Sequence, residues 1–540
     1  MELYIKKTEK QKKDFVWIIV LSIIALAPNI FLALYGNETI LKSLLLFGIS
    51  VIFYFLPAFF MKKRVFFILQ GAFVLLAPFE MAHIYLNQTP ATSAFLLSII
   101  NTNHNESFEM LLTLKTPLII LLLVWTCYFY ITFVKINNSC FFKLNITKRL
   151  AAIFLFIGII TAGYATNYSR KVYPYDILFR INQAFTTKRE IAKGKGKIEY
   201  FKFNAIKKDA CNEKEIYVFV IGETGRYYNY SINGYERNTS PLLAEICNFI
   251  SYSDFYSEAN ITSSSLQLIL TRASAHNFKQ SYVERSFVDA FREAGFKTYW
   301  IAAQSANNKF IRRISKDTDK EYFSIRSDSD ENHYDEQLFP FLDSVLAKNN
   351  DKTLIIIHTL GSHFRYNYRY PAEFEVFKPS LKGVFDYDLI SSKNKSLFVN
   401  TYDNSILYID YFLSETIRKI DSLQQISAFM YVADHGENLF DTEQKIVFHG
   451  GSHYTKYDFH VPFFVWISDK YIVQYPRKAE CIRNNRHRKL SASNIFYSIL
   501  DIAGIGFPGQ MLSKSIASES LQEDSVRYII NTNMEVKKGF

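Results

Sequence analysis

Five long apolar stretches fill the first third of the chain and constrain its fold more than any other feature. They cover residues 15–35, 44–60, 65–85, 117–134 and 150–167. Each has about the length that a helix needs to cross a hydrocarbon core of about 30 Å, and none contains an internal Lys or Arg. Buried helices of a soluble protein are shorter and carry a polar stripe. The pattern therefore predicts five transmembrane helices.

The distribution of Lys and Arg between the stretches predicts their orientation. Basic residues are concentrated before the first stretch and in the second and fourth connections: Lys6, Lys7, Lys10, Lys12, Lys13, Lys62, Lys63, Arg64, Lys135, Lys143, Lys148 and Arg149. The alternate loops contain only Lys42 and Lys115. By the positive-inside rule the N-terminus is cytoplasmic, so five crossings place the rest of the chain on the far side of the membrane. No A-x-A-like cleavage site follows the first stretch, which argues against a removed signal peptide.

A basic segment, residues 168–212, follows the fifth stretch. Its Lys and Arg residues outnumber its acidic residues, and aromatic and aliphatic side chains interleave with the first of these charges. Two interpretations remain open, a segment that lies on an anionic membrane surface and a solvated linker. Together with the lysines that flank the apolar stretches, this segment explains the formal net charge of +11 without a nucleic-acid partner.

From residue 213 to residue 540 the pattern changes to that of an α/β domain. Short β-branched and aromatic runs alternate with polar stretches of helical length, at residues 215–221, 297–303, 353–359, 427–433 and 461–467. Such runs predict a mostly parallel central sheet with helices on both faces. Because ligands of these sheets bind beyond the carboxyl ends of the strands, the residues after each run are candidates for a site.

Carboxylates and histidines occupy several of these positions. Glu223 follows the first run, His358 and His363 lie at and after the third, and Asp434 and His435 follow the fourth. One such residue is most often a helix cap or a structural histidine, but several at one end of a sheet form an oxygen and nitrogen ligand set for zinc or manganese. The metal would polarise a phosphoryl oxygen or lower the pKa of a nucleophile.

A run of hydroxyl side chains supplies a candidate nucleophile. Thr262 and the three serines after it precede a helical stretch at residues 266–273. Backbone N–H groups and the helix dipole favour an anion at a helix N-terminus, as a phosphorylated intermediate requires. Composition alone favours an ordinary helix N-cap, because Ser and Thr are preferred there.

These motifs together resemble one bacterial family. The segment VIGETGRYYNYSINGYERNTSP, residues 220–241, closely resembles the GETAR…SLNGY-x-R-x-T-N-P signature of phosphoethanolamine transferases. The likeness continues in HTLGSH at 358–363, ADHGE at 433–437, FHG at 448–450 and HVP at 460–462. The family joins five membrane spans to an alkaline-phosphatase-like, or sulfatase-like, α/β catalytic domain. The resemblance implies a five-helix transmembrane domain at 1–167, a basic interfacial linker at 168–212 and a zinc-dependent catalytic domain at 213–540.

The resemblance also implies roles for individual residues. The positions that match the family's zinc ligands are Glu223, Thr262, Asp434 and His435. Of these, Thr262 also matches the nucleophilic threonine. His363 and His449 match histidines that approach the transferred group or a second zinc. The positions implied to bind substrate are Ser98, Thr102, Glu106 and Lys456, with Ser98 standing where the family has Asn.

The activity that the resemblance implies is a two-step exchange in the bacterial inner membrane. A multi-pass, monomeric enzyme with its catalytic domain in the periplasm would take phosphoethanolamine from phosphatidylethanolamine onto the threonine. It would then pass the group to lipid A or a core sugar. The family includes the mobile colistin-resistance enzymes, so the resemblance implies a link to polymyxin resistance.

The chain departs from the colistin-resistance type at several positions. Those relatives hold the catalytic domain with several disulfides, whereas this chain has five cysteines, of which only Cys211, Cys247 and Cys481 lie outside the predicted membrane and cytoplasmic parts. They allow at most one internal bridge, with three possible pairings. Ser263 and Gln267 replace the small residue and the proline after the family's nucleophile. For Arg226, a structural ion pair and a contact with acceptor phosphate both remain open.

Three other functions were weighed against this one. A phosphoglycerol transferase of the same superfamily shares the architecture and the threonine nucleophile but matches the GETGR…NGYER segment less well. A sulfatase requires a C/S-x-P-x-R nucleophile motif, which the sequence lacks. A non-enzymatic membrane sensor with a degenerate domain would be expected to have lost the ligand residues, which are present here.

Overall fold

The structure is a computed structural model. It describes residues 2–36, 40–93, 96, 115–165, 173–209, 213–305, 308–325, 334–382, 391–451 and 453–540. The described residues form two compact units. The N-terminal unit lies within residues 1–186 and also takes in residues 451–453, and the C-terminal unit lies within the rest.

Helices form over all five predicted apolar stretches of the N-terminal unit. They are α1 (Glu2–Tyr35), α2 (Ile40–Phe55), α3 (Lys63–Asn87), α4 (Lys115–Tyr130) and α5 (Ile146–Ala165). Among the described residues, three helical segments are long and apolar enough to cross a membrane: Asp14–Tyr35, Leu41–Phe59 and Lys63–Tyr85. A shorter apolar helix covers Ile119–Lys135. The helices are therefore confirmed, and the count of five membrane crossings stays a prediction.

Apolar side chains on the outside of this unit are consistent with a lipid environment. Leu34, Leu41 and Phe154 are each more than 70% exposed. The inward faces pack aromatic and aliphatic residues around Tyr54, Phe66 and Tyr128. Large contiguous exposed apolar surface is rare on a protein surrounded by water, so the apolar stretches fit membrane spans better than a soluble helical bundle.

Seven strands of the C-terminal unit form its central sheet. In the order of the sheet they are β3 (Phe249–Ser251), β9 (Phe463–Ile467), β8 (Ile426–Ala433), β2 (Glu215–Gly222), β7 (Lys352–His358), β5 (Lys297–Ser305) and β6 (Lys320–Ile325). The five strands from β8 to β6 are parallel, β9 runs antiparallel to β8, and the edge strand β3 runs antiparallel to β9. All five predicted runs are strands, and the mostly parallel sheet is confirmed; β3 and β6 were not predicted.

Short strands and helices surround this sheet. The remaining strands are β1 (Ile206–Lys207), β4 (Phe255–Tyr256), β10 (Leu490–Ser491), β11 (Ile505–Gly506), β12 (Tyr528–Ile530) and β13 (Val536–Lys538). The helices are α7 (Pro241–Ala244), α8 (Thr262–Leu270), α9 (Phe287–Glu293), α10 (Lys309–Ser315), α11 (Phe339–Leu346), α12 (Lys395–Asp421), α13 (Lys456–Phe459), α14 (Asp469–Gln474), α15 (Pro476–Asn484) and α16 (Ile495–Ile502). Every residue of β2 and β8 is buried, which explains their continuous apolar runs.

The predicted basic linker is largely regular structure. A further helix, numbered α6 here and covering Tyr175–Glu199, precedes β1 in the chain. Strand β1 pairs with β11, and Phe203 and Ala205 belong to the core of the C-terminal unit. Lys207 forms a buried ion pair with Glu215, with Nζ 2.9 Å from Oε2. The last residues of this segment are thus part of the fold of the C-terminal unit.

Candidate active site

Two neighbouring strands bring the predicted carboxylates together. Glu223 directly follows β2, and Asp434 and His435 directly follow β8, which pairs with β2 so that Gly222 lies opposite Ala433. Because the two strands are parallel and end at the same level, the three side chains lie at one edge of the sheet. Their ligand atoms all lie within 4.8 Å of one another, and all three residues are buried.

The hydroxyl of Thr262 completes this cluster. Helix α8 begins at Thr262, and the N-cap residue is Ile261, whose side chain makes no capping hydrogen bond. The Thr262 hydroxyl donates instead to Glu223 Oε1 at 3.3 Å and lies 3.2 Å from His435 Nε2. The sequence placed Thr262 correctly at a helix N-terminus, but its side chain is not an ordinary N-cap.

The donor set fits a divalent metal such as zinc. Asp434 Oδ1 accepts the backbone N–H groups of Thr224 and His435, at 3.1 and 2.8 Å, while Oδ2 is buried without a hydrogen-bond partner. His435 Nδ1 donates to the Gly436 carbonyl at 3.0 Å, which leaves the Nε2 lone pair free to bind a metal. Buried carboxylates need a compensating cation. An unpartnered oxygen and an oriented imidazole supply the ligands for one.

Burial perturbs the ionisation of the cluster. Burial and the charge of Asp434 raise the pKa of Glu223 well above its ordinary value. Burial lowers the pKa of His435. Both shifts reflect the cost of isolated charge in a dry site, and a bound cation reverses that cost by stabilising the carboxylate and the neutral imidazole.

Two tight turns hold Glu223 in place. Thr224 adopts a left-handed conformation with φ of +59°, and its hydroxyl donates to Glu223 Oε1 at 2.9 Å. Gly361 approaches from the next loop with φ of +52°, where a Cβ atom would lie only 2.7 Å from the Glu223 carbonyl oxygen. The carboxylate of Asp335 accepts the N–H groups of Leu360 and Gly361, at 2.7 and 3.0 Å. Sequence reasoning missed Thr224 and Asp335.

His449 is a charged neighbour of this cluster. Its ring centroid lies 3.9 Å from that of His435, and its Nδ1 lies 3.2 Å from Glu437 Oε1. Burial opposes a charge on His449, but the carboxylate of Glu437 outweighs it and raises the pKa to about 9. Glu437 is held in turn by the hydroxyl of Tyr366, at 2.8 Å. Glu437 lies inside the ADHGE motif, which is the signal that could have identified it.

His363 differs from His449 in charge. Burial, together with the charges of Arg369, His449 and His435, lowers the pKa of His363 to about 3. Its backbone N–H donates to the Leu360 carbonyl within the turn that also contains Gly361. The two predicted histidines therefore contribute one positive and one neutral imidazole at neutral pH.

Lys456 and His460, two further residues of the matched motifs, are not part of this cluster. Lys456 begins α13, and its ammonium group lies 4.7 Å from the ring centroid of Tyr228. His460 is stacked between Tyr227 and Tyr256, with centroid distances of 4.0 and 4.5 Å, which is a packing role. The predicted donor-binding residues Ser98, Thr102 and Glu106 lie outside the described residues.

Two questions left open by the sequence concern Arg226 and the cysteines. The buried guanidinium of Arg226 forms a bidentate pair with Asp441, at 3.0 and 3.2 Å, so the structural ion pair is the correct interpretation. Cys247 and Cys481 are free thiols. Cys211 lies outside the described residues.

Comparison with known proteins agrees with this fold and these motifs. The chain is 28% identical over 334 residues to the phosphoethanolamine transferase EptC of Escherichia coli O18:K1:H7, covering 60% of this chain and 57% of that protein. It is 34% identical over 265 residues to the Kdo(2)-lipid A phosphoethanolamine 7''-transferase of E. coli K12, covering 47% and 45%. The chain thus spans about half the length of the curated relatives it matches. The predicted resemblance to phosphoethanolamine transferases is confirmed.

Solved structures give the same result for the fold. The C-terminal periplasmic domain of E. coli EptC, in complex with zinc, superposes with a TM-score of 0.55 at 28% identity, covering 60% of this chain and 92% of that one. The integral membrane transferase EptA of Neisseria meningitidis covers 93% of this chain and 98% of its own, with a TM-score of 0.73 at 20% identity, which bears on the fold alone. The family model described as Sulfatase matches residues 215–505, more than half of the sequence, so the chain belongs to the sulfatase family.

Proposed function

We propose that the protein is a zinc-dependent phosphoethanolamine transferase of the bacterial inner membrane. The observation that carries the proposal is the position of the Thr262 hydroxyl, which lies at the start of a helix and 3.2 Å from His435 Nε2 in a buried cluster with two carboxylates. A nucleophile, a metal-ligand set and a helix N-terminus there converge on one point, as transfer of an anionic phosphoryl group requires.

The residues that would hold zinc are Glu223, Asp434, His435 and Thr262. Bound zinc would lower the pKa of the threonine hydroxyl and neutralise charge on the phosphoryl oxygens. Thr224 and the Gly436 carbonyl orient Glu223 and His435. His449, kept positive by Glu437, supplies a second positive charge beside the cluster. His363 is neutral and can accept or donate one hydrogen bond to the transferred group.

The reaction proceeds in two steps. The Thr262 oxygen attacks the phosphorus of phosphatidylethanolamine, which forms a Thr O–P bond and breaks the bond from phosphorus to the diacylglycerol oxygen. The proton of the threonine ends on diacylglycerol. An acceptor hydroxyl or phosphate on lipid A or a core sugar then attacks the phosphorus of the phosphoethanolamine-threonine, which forms the acceptor O–P bond, breaks the Thr O–P bond and restores the threonine hydroxyl. The N-terminus of α8 stabilises the negative charge on the phosphoryl oxygens during both steps.

The proposal includes the finer predictions about the membrane part. The chain would cross the membrane five times within residues 1–167 and carry a linker at 168–212. The catalytic domain at 213–540 would lie in the periplasm as a monomer. Phosphatidylethanolamine would bind at Ser98, Thr102 and Glu106, and Lys456 would contact substrate. A phosphoglycerol transferase and a non-enzymatic sensor are not favoured, because the relatives named above are phosphoethanolamine transferases and the four cluster residues converge.

Mass spectrometry of lipid A and core sugars tests this proposal. Cells that express the protein should gain phosphoethanolamine on one of these acceptors, and cells that express Thr262→Ala should not. Thr271→Ala is a matched control, because Thr271 follows the other end of α8 and its hydroxyl only bonds the Gln267 and Ala273 backbone. A phosphoglycerol adduct, or full transfer by Thr262→Ala with zinc still bound, would refute the proposal.

A further inference from the structure

Four consecutive polar residues in the middle of α12 are fully buried. Tyr402, Asp403, Asn404 and Ser405 each have an exposed fraction of 0%. Burying a polar side chain costs free energy unless the group is hydrogen-bonded, so buried polar residues in a helix are expected to have partners. Each of the four side chains bonds a loop of the C-terminal unit that lies outside α12. We call residues 402–405 the clamp turn.

Tyr402 holds the residues that follow Glu223. Its hydroxyl donates to the Thr224 carbonyl at 2.7 Å and accepts the Arg226 N–H at 2.9 Å. Thr224 is the left-handed residue whose N–H bonds Asp434 Oδ1 and whose hydroxyl bonds Glu223 Oε1. The Tyr402 hydroxyl thus fixes the backbone on both sides of Gly225. Thr224, which precedes Gly225, bonds the carboxylates of both Glu223 and Asp434.

Ser405 holds the loop on the other side of Glu223. Its hydroxyl lies 2.8 Å from the hydroxyl of Ser362, and the Ser362 N–H donates to the Glu223 carbonyl at 3.0 Å. Ser405 also donates to the Tyr402 carbonyl at 2.7 Å, so the two residues of the clamp turn are themselves linked. The Glu223 segment is therefore held by α12 from both of its neighbouring loops.

Asp403 and Asn404 fix two further loops. Asp403 accepts hydrogen bonds from Asn229, Tyr235 and Arg237, at 2.7, 2.9 and 2.9 Å. These three residues belong to the YNYSINGYER part of the sequence motif, so that part is held to α12 through one carboxylate. Asn404 Oδ1 accepts the N–H groups of residues 376 and 377, at 3.0 and 2.8 Å.

We infer that the clamp turn positions the metal ligands, with Tyr402 as the main positioning residue for Glu223 and Asp434. The inference rests on the proposed zinc site. Tyr402 does not touch the ligands themselves, and it acts through Thr224. Residues that orient metal ligands from behind typically change metal affinity about 10- to 100-fold when they are altered. Its loss should therefore weaken zinc binding more than it weakens the fold.

Zinc affinity of the full-length protein in detergent tests the inference, measured by competition with a chromophoric chelator. We expect Tyr402→Phe to bind zinc at least about tenfold more weakly than the wild type. Tyr252→Phe is the matched control, because Tyr252 is also fully buried and its hydroxyl donates one bond, to the Ile482 carbonyl at 2.7 Å. Its zinc affinity should stay unchanged, while the zinc-free unfolding midpoints of both variants fall by similar amounts.

Equal zinc affinity of Tyr402→Phe and the wild type would overturn the inference, as would an equal loss in both Tyr variants. If Tyr402→Phe does not fold, Ser405→Ala replaces it, and wild-type zinc affinity in that variant overturns the inference. A failure of the proposed zinc site gives a different result. In that case the Glu223→Gln variant would bind zinc as tightly as the wild type does.

Discussion

The replacement of Asp434 by Asn should raise the stability of the protein when zinc is absent and lower it when zinc is present. Without a cation, Glu223 and Asp434 are buried carboxylates with oxygens within 4.8 Å of each other. Asp434 Oδ1 accepts two backbone N–H bonds, which an amide oxygen also accepts. Oδ2 has no hydrogen-bond partner and lies 3.4 Å from His435 Nε2, so an amide NH₂ at that position breaks no hydrogen bond and removes the negative charge.

The magnitude follows from the charges. Two like charges at this separation repel by about 3–4 kcal/mol at an effective dielectric constant of about 20. Because the pKa of Glu223 is already raised well above its ordinary value, protonation relieves part of this repulsion. We therefore expect zinc-free Asp434→Asn to be about 1–3 kcal/mol more stable than the wild type. Zinc at about 1,000 times its Kd should stabilise the wild type by about 4.1 kcal/mol and the variant by far less, which makes the wild type the more stable protein under that condition.

Unfolding of the purified full-length protein in detergent measures both effects, once with a chelator and once with excess zinc. Asp501→Asn is the control, because Asp501 is a buried carboxylate that pairs with Lys478 and Ser515. It should destabilise the protein equally with and without zinc. Two results would refute the electrostatic account of the cluster. Asp434→Asn could be less stable than the wild type under both conditions, or zinc could raise its unfolding free energy as much as it raises that of the wild type.

Three further predictions concern buried residues of the C-terminal unit. Lys207→Met should destabilise the protein by about 3–5 kcal/mol, because it leaves the buried Glu215 without its cation; denaturant unfolding measures this. Asp410 is buried, and its pKa is raised from 3.8 to about 7, so its contribution to stability is present below pH 3.8 and is lost as the pH rises through about 7. The unfolding free energy should fall by at most about 4 kcal/mol over that range, and Asp410→Asn should flatten the fall. Gly361→Ala should reduce transfer activity and zinc affinity together, because its Cβ would meet the Glu223 carbonyl oxygen.

Each of these predictions has a contradicting result. A Glu215→Gln change added to Lys207→Met should recover part of the lost stability, and no recovery would argue against an uncompensated charge. An unchanged pH profile in Asp410→Asn would assign the pH dependence to another group. Gly295 also has a positive φ, of +88°, but no atom near its missing Cβ. Equal effects of alanine at Gly295 and Gly361 would mean that backbone strain alone explains the result.

The cluster of Glu223, Asp434 and His435 was predictable from the sequence because local rules place these residues. Continuous apolar runs marked β2 and β8, and the rule that ligands bind beyond the carboxyl ends of parallel strands selected Glu223, Asp434 and His435. The run of hydroxyl residues at 262–265 before an apolar helical stretch indicated a helix N-terminus, and the family resemblance selected Thr262 within that run. The order of elements therefore predicted the edge of the sheet, and the resemblance predicted the nucleophile.

The supports of the cluster were not predictable because they depend on distant pairs. The hydroxyl of Tyr402 bonds residues almost 180 positions earlier in the chain, and nothing local in α12 marks it. Asp335 binds backbone N–H groups of a later loop, and Thr224 bonds both carboxylates from a left-handed conformation that follows from the packing. His460 belongs to the HVP motif, yet its ring is packed between two tyrosines.

Mass spectrometry of the protein itself tests the central claim most directly. Purified full-length protein with zinc is incubated with phosphatidylethanolamine in detergent and without an acceptor, and then digested. The account predicts a phosphoethanolamine adduct on Thr262, which is absent from Thr262→Ala and present in Thr271→Ala. An adduct on another residue, or transfer to an added acceptor by a protein that never carries the group, would contradict the account.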